Sequence, residues 1–367
     1  MRVAFDRSDW LAAMRLAERV AIPSSPPTSL SCVTLRTLDA HHVELHAADG
    51  GELGLRAVVS ARVSSRGETA LLAHHAAEVV RHAPEWGDVC LRADGDVAEF
   101  SSGPWRTGLH TYTPVRVENP AAPLEPLPTV PARSLQTVLA GMAAHTGDGL
   151  STTYAMTGVL LRADGEALTA VASNNRVMLR RSVPCAVTLP PLLLPGRAVR
   201  LLSDHLQSCA DVSWGLCGGT LFVQAGQLWL RIRLIAQRYP DSALALAEEE
   251  AARWVQVSAD RMHTVLERVR ALGSDDDLQV RLEHVKRGLM VSAATATGPT
   301  QGGLVCDMLP AVGAPSPRVV RVGARDLTSA SAGMVGRIHL ATVGDAVLVL
   351  NSDAADGARA FLAMGAG

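Results

Sequence analysis

Residues 258–272, SADRMHTVLERVRAL, place Met262, Val265, Leu266, Val269 and Leu272 on one side of a helix, with Ser258 where an N-cap belongs. Other segments carry similar apolar stripes. Trp10, Leu11, Met14 and Ala17 form one, Leu72, Ala76, Val79 and Val80 a second, and Leu135, Val138, Leu139 and Met142 a third. A further helix is expected from Gly196, and a weaker one carries Leu327, Ala330 and Met334. The six begin near Ser8, Thr69, Ala132, Gly196, Ser258 and Ala324, in steps of 61, 63, 64, 62 and 66 residues. A period this regular signals one building unit used repeatedly.

Between the helices the period falls to two. Leu228, Leu230, Ile232 and Leu234 alternate with Gln227, Trp229, Arg231 and Arg233, the pattern of a half-buried antiparallel strand. Hairpin turns are expected at Asp49-Gly50-Gly51, Asp94-Gly95, Asp164-Gly165 and Gly218-Gly219, and the string LRADG occurs at both 91–95 and 161–165. Each unit therefore reads as one helix plus hairpin-linked strands, an α+β class. The proline-rich stretch from Glu118 to Pro128 and the acidic run at 247–251 read as linkers. They divide the six units into three similar domains of two units each, at 1–121, 128–246 and 252–367.

Hydrophobic residues make up 48% of the 367, enough for each domain to bury a core, and aromatics only 4%, so those cores rest on aliphatic side chains. A net charge of −2 argues against a protein that coats nucleic acid with its whole surface. The charge is uneven, however: over the six helical segments 12 arginines face 8 carboxylates, +4 in a chain of −2. The six cysteines (Cys32, Cys90, Cys185, Cys209, Cys217 and Cys306) form no C-x-x-C pair, so they read as reduced, mostly buried thiols of a cytoplasmic protein. No run of about 18 apolar residues is present, and no membrane partner is expected.

Residues 157–161 (TGVLL) and 164–173 (DGEALTAVAS), followed by 180–184 (RRSVP), resemble the signature hairpin of the bacterial replicative clamp, the beta subunit of DNA polymerase III. Residues 233–241, RLIAQRYPD, are similar to that family's RLIEGxFPDY stretch, and the helix at Asp9-Trp10-Leu11 followed by the loop Pro23 to Pro27 also fits. The resemblance covers nearly the whole chain. It implies the DNA clamp fold, with two copies closing head to tail into a ring that holds duplex DNA topologically and without sequence specificity. It implies no cofactor, no metal and no catalysis. The partners it implies are double-stranded DNA, a second copy of the chain, and a DNA polymerase and clamp loader that dock through short peptide motifs. A clamp-fold paralogue that binds protein partners or an inhibitor without a replicative role is the alternative.

Carried over residue by residue, the resemblance places a peptide pocket at Met156, Ser173, Asn175, Arg176, Val177, Met178, Pro240, Ala363, Met364 and Gly365. An apolar floor with a few polar rim atoms suits Leu and Phe anchors. DNA contacts are expected from Arg15, Ser24, Arg133, His145, Tyr154, Arg197 and Arg200, with Tyr154 able to stack on a base. The contact between copies is expected at His75, Val79, Ala83, Ala271 and Leu272. Three departures stand out. Ser24 occupies a position where the family often has arginine, 174–177 reads NNRV against the family's Asp-Gly-His/Tyr-Arg, and the chain ends MGAG against Met-Pro-Met/Val-Arg-Leu.

Catalytic signatures are missing. Lys286 is the sole lysine and lies in no phosphate-binding loop, and neither H-E-x-x-H nor G-x-S-x-G occurs. His41, His42 and His46 read as a surface strand rather than a metal site, Asp275-Asp276-Asp277 as a solvated turn, and His74-His75 as exposed or interfacial.

Overall fold

The computed structural model describes all residues except 86, 115, 118–123, 150–152, 207–210, 242–244, 246–251, 273–277, 295–302, 314–318, 344–346, 354–356 and 365–367, and the side chains of 252–254. Among the described residues six α-helices occur: α1 (Arg7–Val20), α2 (Ala73–His82), α3 (Ala132–Leu139), α4 (Gly196–His205), α5 (Ala259–Arg270) and α6 (Ala324–Ser331). Their starts keep the rhythm read from the sequence. None is long and apolar enough to cross a membrane.

The helix faces follow the stripes closely. Trp10, Ala13, Met14, Ala17 and Val20 are buried on α1, and Met262, Val265, Leu266 and Val269 on α5. Leu272 lies beyond the end of α5 and is only half-buried. Two boundaries differ from expectation. Residues 69–72 belong to the strand Glu68–Leu72, and α2 begins only at Ala73. The apolar pair Leu71 and Leu72 fits either period, so the stripe alone could not place the switch. At α5, Ser258 holds the N-cap position but its side chain makes no capping bond. At α1, by contrast, the Asp6 carboxylate accepts the Ser8 N–H at 2.8 Å.

All strand pairings are antiparallel, and the chain divides into two compact units. The first comprises 1–132 and 205–234. It holds a five-stranded sheet in the order Arg62–Ser65, Arg2–Phe5, Val89–Asp94, Val97–Ser102, Trp105–His110. It also holds an eight-stranded sheet, in the order Glu125–Pro131, Asp211–Cys217, Thr220–Ala225, Leu228–Arg233, Leu53–Ser60, His42–Ala48, Cys32–Thr37, Glu68–Leu72. The second unit comprises 133–204 and 235–367. Its nine-stranded sheet runs Thr188–Pro195, Gly158–Asp164, Ala167–Ser173, Val177–Pro184, Arg359–Ala363, Val347–Ser352, Arg337–Val343, Ala252–Ser258, Ala311–Val312. Its four-stranded sheet runs Leu304–Leu309, Gly288–Ala294, Gln279–Val285, Val319–Gly323.

Two ladders join strands that lie on opposite sides of the expected linkers in sequence. Leu228–Arg233 pairs with Leu53–Ser60, and Val177–Pro184 pairs with Arg359–Ala363. The sheets are thus continuous where the sequence suggests punctuation. The first linker is itself partly strand: Glu125–Pro131 pairs with Asp211–Cys217, and its prolines sit at a sheet edge where a missing N–H is tolerated. The run 247–251 lies outside the described residues.

All four expected hairpin turns join paired strands. The aspartates explain two of them. Asp49 Oδ1 accepts the N–H groups of Gly51, Glu52 and Leu53, and Asp164 Oδ1 accepts those of Glu166 and Ala167. These bonds hold the Asp164 carboxyl below its ordinary pKa.

Two readings are corrected. The strand His42–Ala48 is buried on both faces after its first residue: His46 is 5% exposed and bonds Glu44 at 2.8 Å, while its Nδ1 accepts the Val117 N–H. The buried glutamate satisfies the imidazole, which is why a histidine sits there. Of the five described cysteines only Cys32 is buried, and Cys306 is exposed on the edge strand Leu304–Leu309. Cys209 lies outside the described residues.

Gly357 leads into Arg359–Ala363 with φ +51°, and a Cβ there would lie 2.8 Å from the Ser182 carbonyl oxygen. Gly357→Ala therefore destabilises the protein by about 1–2 kcal/mol, measured as a lower urea midpoint with an unchanged slope.

Candidate functional site

The strand Val177–Pro184 is β-branched and apolar at its start, and an Asx turn delivers the chain into it. Asn174 Oδ1 accepts the N–H groups of Arg176 at 3.1 Å and Val177 at 2.9 Å. Asn175 then takes φ +71°, the only positive φ at a non-glycine residue among those described. Asparagine tolerates this left-handed conformation better than most side chains. The NNRV departure therefore preserves the turn that Asp-Gly would make.

Beyond the turn the ladder sets Met178 opposite Ser173 on one side and Phe361 on the other, and Val177 opposite Leu362. The Ala363 N–H donates to the Arg176 carbonyl at 3.2 Å. Met178, Phe361 and Tyr239 are all under 5% exposed and pack with Ala155, Leu160, Val171, Leu193, Ile235, Ala341 and Val349. The segment after Leu234 lies tightly against the sheet. The Ile235 N–H bonds the Leu193 carbonyl, and a Cβ on Gly158 would fall 2.6 Å from Ile235 Cδ1 and 2.9 Å from the Leu194 carbonyl oxygen, so a side chain there would force its neighbours to shift. Burial pushes the Tyr239 phenol well above its ordinary pKa and keeps it neutral.

These elements leave a cleft of about 440 Å³. Met156, Ser173, Asn175, Arg176, Val177, Met178, Pro240 and Ala363 all line it, which brings together eight of the ten residues assigned from the sequence. Met364 is half-buried outside the lining, and Gly365 lies beyond the described residues. Sequence reasoning missed Thr153, Val347, Phe361 and Leu362. The alternation in 359–363 held a signal for Phe361, the last aromatic of the chain, but only the ladder reveals which strand it faces. Among the described residues that line the cleft, none is acidic and none is a histidine. The arrangement can bind apolar side chains under a polar rim.

The other assigned residues are scattered. Arg15 on α1, Arg133 on α3, and Arg197 and Arg200 on α4 are exposed, and Tyr154 is 53% exposed. The Ser24 hydroxyl is engaged within its own loop, with Ser31 Oγ at 2.7 Å and the Pro26 carbonyl at 3.1 Å. His145 is corrected: at 3% exposure it offers no surface to a phosphate. Its Nδ1 lies 3.1 Å from the Gly141 carbonyl, and its Nε2 lies 3.1 Å from the Ser329 hydroxyl and 3.2 Å from the Ser329 carbonyl. A neutral ring donating from Nδ1 and accepting the hydroxyl at Nε2 satisfies both ends. Of the residues assigned to the contact between copies, His75 and Ala271 are exposed, Val79 and Leu272 are half-buried, and Ala83 is buried at 4%, which removes it as a contact surface. His74 bonds Glu18 at 2.7 Å, and Arg81 pairs with both Glu18 and Glu78, so one guanidinium offsets part of this acidic pair's charge.

No family model and no curated relative matches the chain. Solved structures do. A sliding clamp (DNA polymerase III subunit beta) from Bartonella birtlesii bound to griselimycin is 17% identical, with a TM-score of 0.84 and 100% of both chains covered. The beta sliding clamp of C. crescentus is 17% identical, with a TM-score of 0.83, covering 100% of this chain and 99% of that one. A sliding clamp of Pseudomonas aeruginosa bound to griselimycin is 14% identical, with a TM-score of 0.79 and full coverage of both chains. Over its whole length the chain has the sliding-clamp fold.

Burial is the main cause that lowers the His145 pKa, against partial recovery from its bonds to Gly141 and Ser329. A lowered pKa means that the unfolded chain binds the proton more readily. Stability from this site is complete above the unfolded pKa and drains away as pH falls through that value toward the folded one. His145→Gln is therefore expected to flatten the loss of stability between about pH 7 and pH 5, followed by urea titration across that range.

Proposed function

We propose that this chain works as a DNA sliding clamp: a non-enzymatic ring that encircles duplex DNA and tethers a DNA polymerase to it in the cytoplasm. The observation that carries the reading is the cleft. Eight residues assigned to peptide capture from sequence alone converge on one apolar depression, in a chain with the clamp fold from end to end. The cleft would take the Leu and Phe anchors of short motifs in the polymerase and the clamp loader. The exposed arginines on α1, α3 and α4 suit a mildly positive surface that lets a duplex slide without base readout.

In this reading the chain forms three domains, 1–121, 128–246 and 252–367, and two copies close the ring. The five-stranded sheet ends in the strand Trp105–His110 and the four-stranded sheet in Leu304–Leu309, each with one unpaired edge. The latter leaves Leu304 70% and Met308 44% exposed, an apolar edge of the kind that invites a partner strand. Pairing one edge with the other from a second copy is a heterologous contact, and it closes when each subunit turns half the circle. His75, Val79, Ala271 and Leu272 would flank that seam.

The alternative, a clamp-fold paralogue serving other partners, draws on the departures from the family's pattern at Ser24 and in the turn 174–177. The two readings part on DNA. A replicative clamp loaded onto nicked circular plasmid stays bound through gel filtration and runs off once the plasmid is linearised; a protein that never associates with the circle contradicts the clamp role. Light scattering should give twice the 38.6 kDa chain mass, and Leu304→Asp with Met308→Asp should reduce it to one chain. Met178→Asp places a charge in the cleft floor and should weaken a Leu/Phe-anchored peptide by more than about tenfold without abolishing dimers.

A further inference from the structure

Helices α1 and α2 pack against each other within the first unit. Their buried faces are rich in alanine, Ala13 and Ala17 on one, Ala73, Ala76 and Ala77 on the other, and small side chains let helices approach closely. Arg7 ties the pair together near the start of α1, donating from Nε to the Val80 carbonyl at 3.2 Å and from Nη2 to the Arg81 carbonyl at 2.5 Å. Toward the end of α1, Glu18 meets His74 in the first turn of α2, with Oε1 2.7 Å from Nδ1.

His74 and Glu78 stand four residues apart on one face of α2, the spacing at which a helix offers two ligands to one ion. Glu18 adds a third from the facing helix. One ligand atom from each of the three lies within 4.8 Å of the other two. Zinc, with bonds of about 2.0–2.1 Å, holds its tetrahedral ligand atoms about 3.3 Å apart, so small rotations of these partly exposed side chains bring all three onto one ion. His82, four residues beyond Glu78, sets its Nε2 3.2 Å from Glu78 Oε2, the kind of outer contact that orients a ligating carboxylate. Calcium and magnesium take oxygen ligands, whereas an imidazole joined with carboxylates suits zinc.

Arg81 spans the two carboxylates. Its Nη1 donates to Glu78 Oε1, and its Nη2 lies 3.6 Å from Glu18 Oε2. The guanidinium thus serves as a bridging cation between the helices, but each of these side chains reaches solvent, where such pairs are weak and readily exchanged. A divalent ion brings twice the charge and directional bonds to all three ligands. We propose that Glu18, His74 and Glu78 form a zinc site that staples α1 to α2, with Arg81 as a built-in competitor that swings out when the ion enters. Three protein ligands leave the fourth position to water. The site uses residues of the first unit alone and holds whether or not the chain encircles DNA.

The test titrates the full chain, stripped of metal, with zinc chloride by calorimetry and with cobalt(II) by absorption spectroscopy. The wild type should take up one zinc per chain and melt at a higher temperature as zinc is added. Its cobalt form should show d–d bands without a thiolate charge-transfer band, which separates the site from the cysteines. Glu18→Gln and His74→Gln should each lose this ion and the thermal shift, and His82→Gln should bind it about tenfold more weakly. Arg81→Gln should bind it about three- to tenfold more tightly, because the competitor is gone. A cluster that only ties the helices together predicts variants that melt earlier with no response to zinc in any chain. No zinc uptake by the wild type overturns the site, as does a thiolate band or uptake that survives both Glu18→Gln and His74→Gln. An Arg81→Gln chain that binds no more tightly than the wild type overturns the competition. The wild-type stoichiometry and cobalt spectrum decide the matter even if a variant does not fold.

Discussion

The antiparallel ladder between Val177–Pro184 and Arg359–Ala363 is the contact on which the second unit depends. It joins strands more than 170 residues apart in sequence into the middle of one nine-stranded sheet. Closing so long a loop costs conformational entropy that local structure cannot recover. What offsets it is burial on a shared face: Met178, Phe361 and Val349 are all under 5% exposed and pack beneath Tyr239 and Ile235. The same register that builds this core also opens the cleft, because Ala363 reaches the Arg176 carbonyl just where the strand leaves its Asx turn. Core and cleft are two consequences of one pairing.

Much of this was legible in advance, for physical reasons that differ from element to element. Helices α1 and α5 declared themselves because their apolar stripes are wide and their flanks charged. Hairpins were readable because Asp49 and Asp164 have a specific job, collecting backbone N–H groups that would otherwise go unpaired. Long-range pairing was not. Nothing in the sequence from Arg359 to Ala363 says that Phe361 lies opposite Met178, so the cleft's inner wall was missed while its outer turn was found. The start of α2 was misplaced because Leu71 and Leu72 satisfy either period. His46 was read as exposed because its partner Glu44 sits two residues away on the same face, and the pair's burial depends on neighbouring strands. His145 was taken for a DNA contact on resemblance alone, and the structure turns it inward to Ser329.

The low identity to the sliding clamps whose fold it shares, 14–17%, shows what such a fold demands of its sequence. Volume and alternation suffice for the sheets, as the aliphatic cores here illustrate. Special conformations are stricter. Asn175 accepts φ +71° in place of the glycine expected by resemblance, and Gly158 lets Ile235 and the Leu194 carbonyl approach closer than a Cβ would allow without a shift. Change is tolerated where chemistry is generic and resisted where backbone geometry is unusual.

The central place of Arg359–Ala363 bears on how the protein is made. Four strands lie on either side of it in the nine-stranded sheet. A nascent chain emerging from the ribosome can form the hairpins of 158–184 early, but the halves of this sheet stay unjoined until residue 363 has left the exit tunnel. During that interval two strand edges, Val177–Pro184 and Val347–Ser352, stand open side by side on one polypeptide. A polysome carrying many such chains would hold matching edges close together, so the delay before Arg359–Ala363 emerges decides whether each strand finds its own partner or a neighbour's.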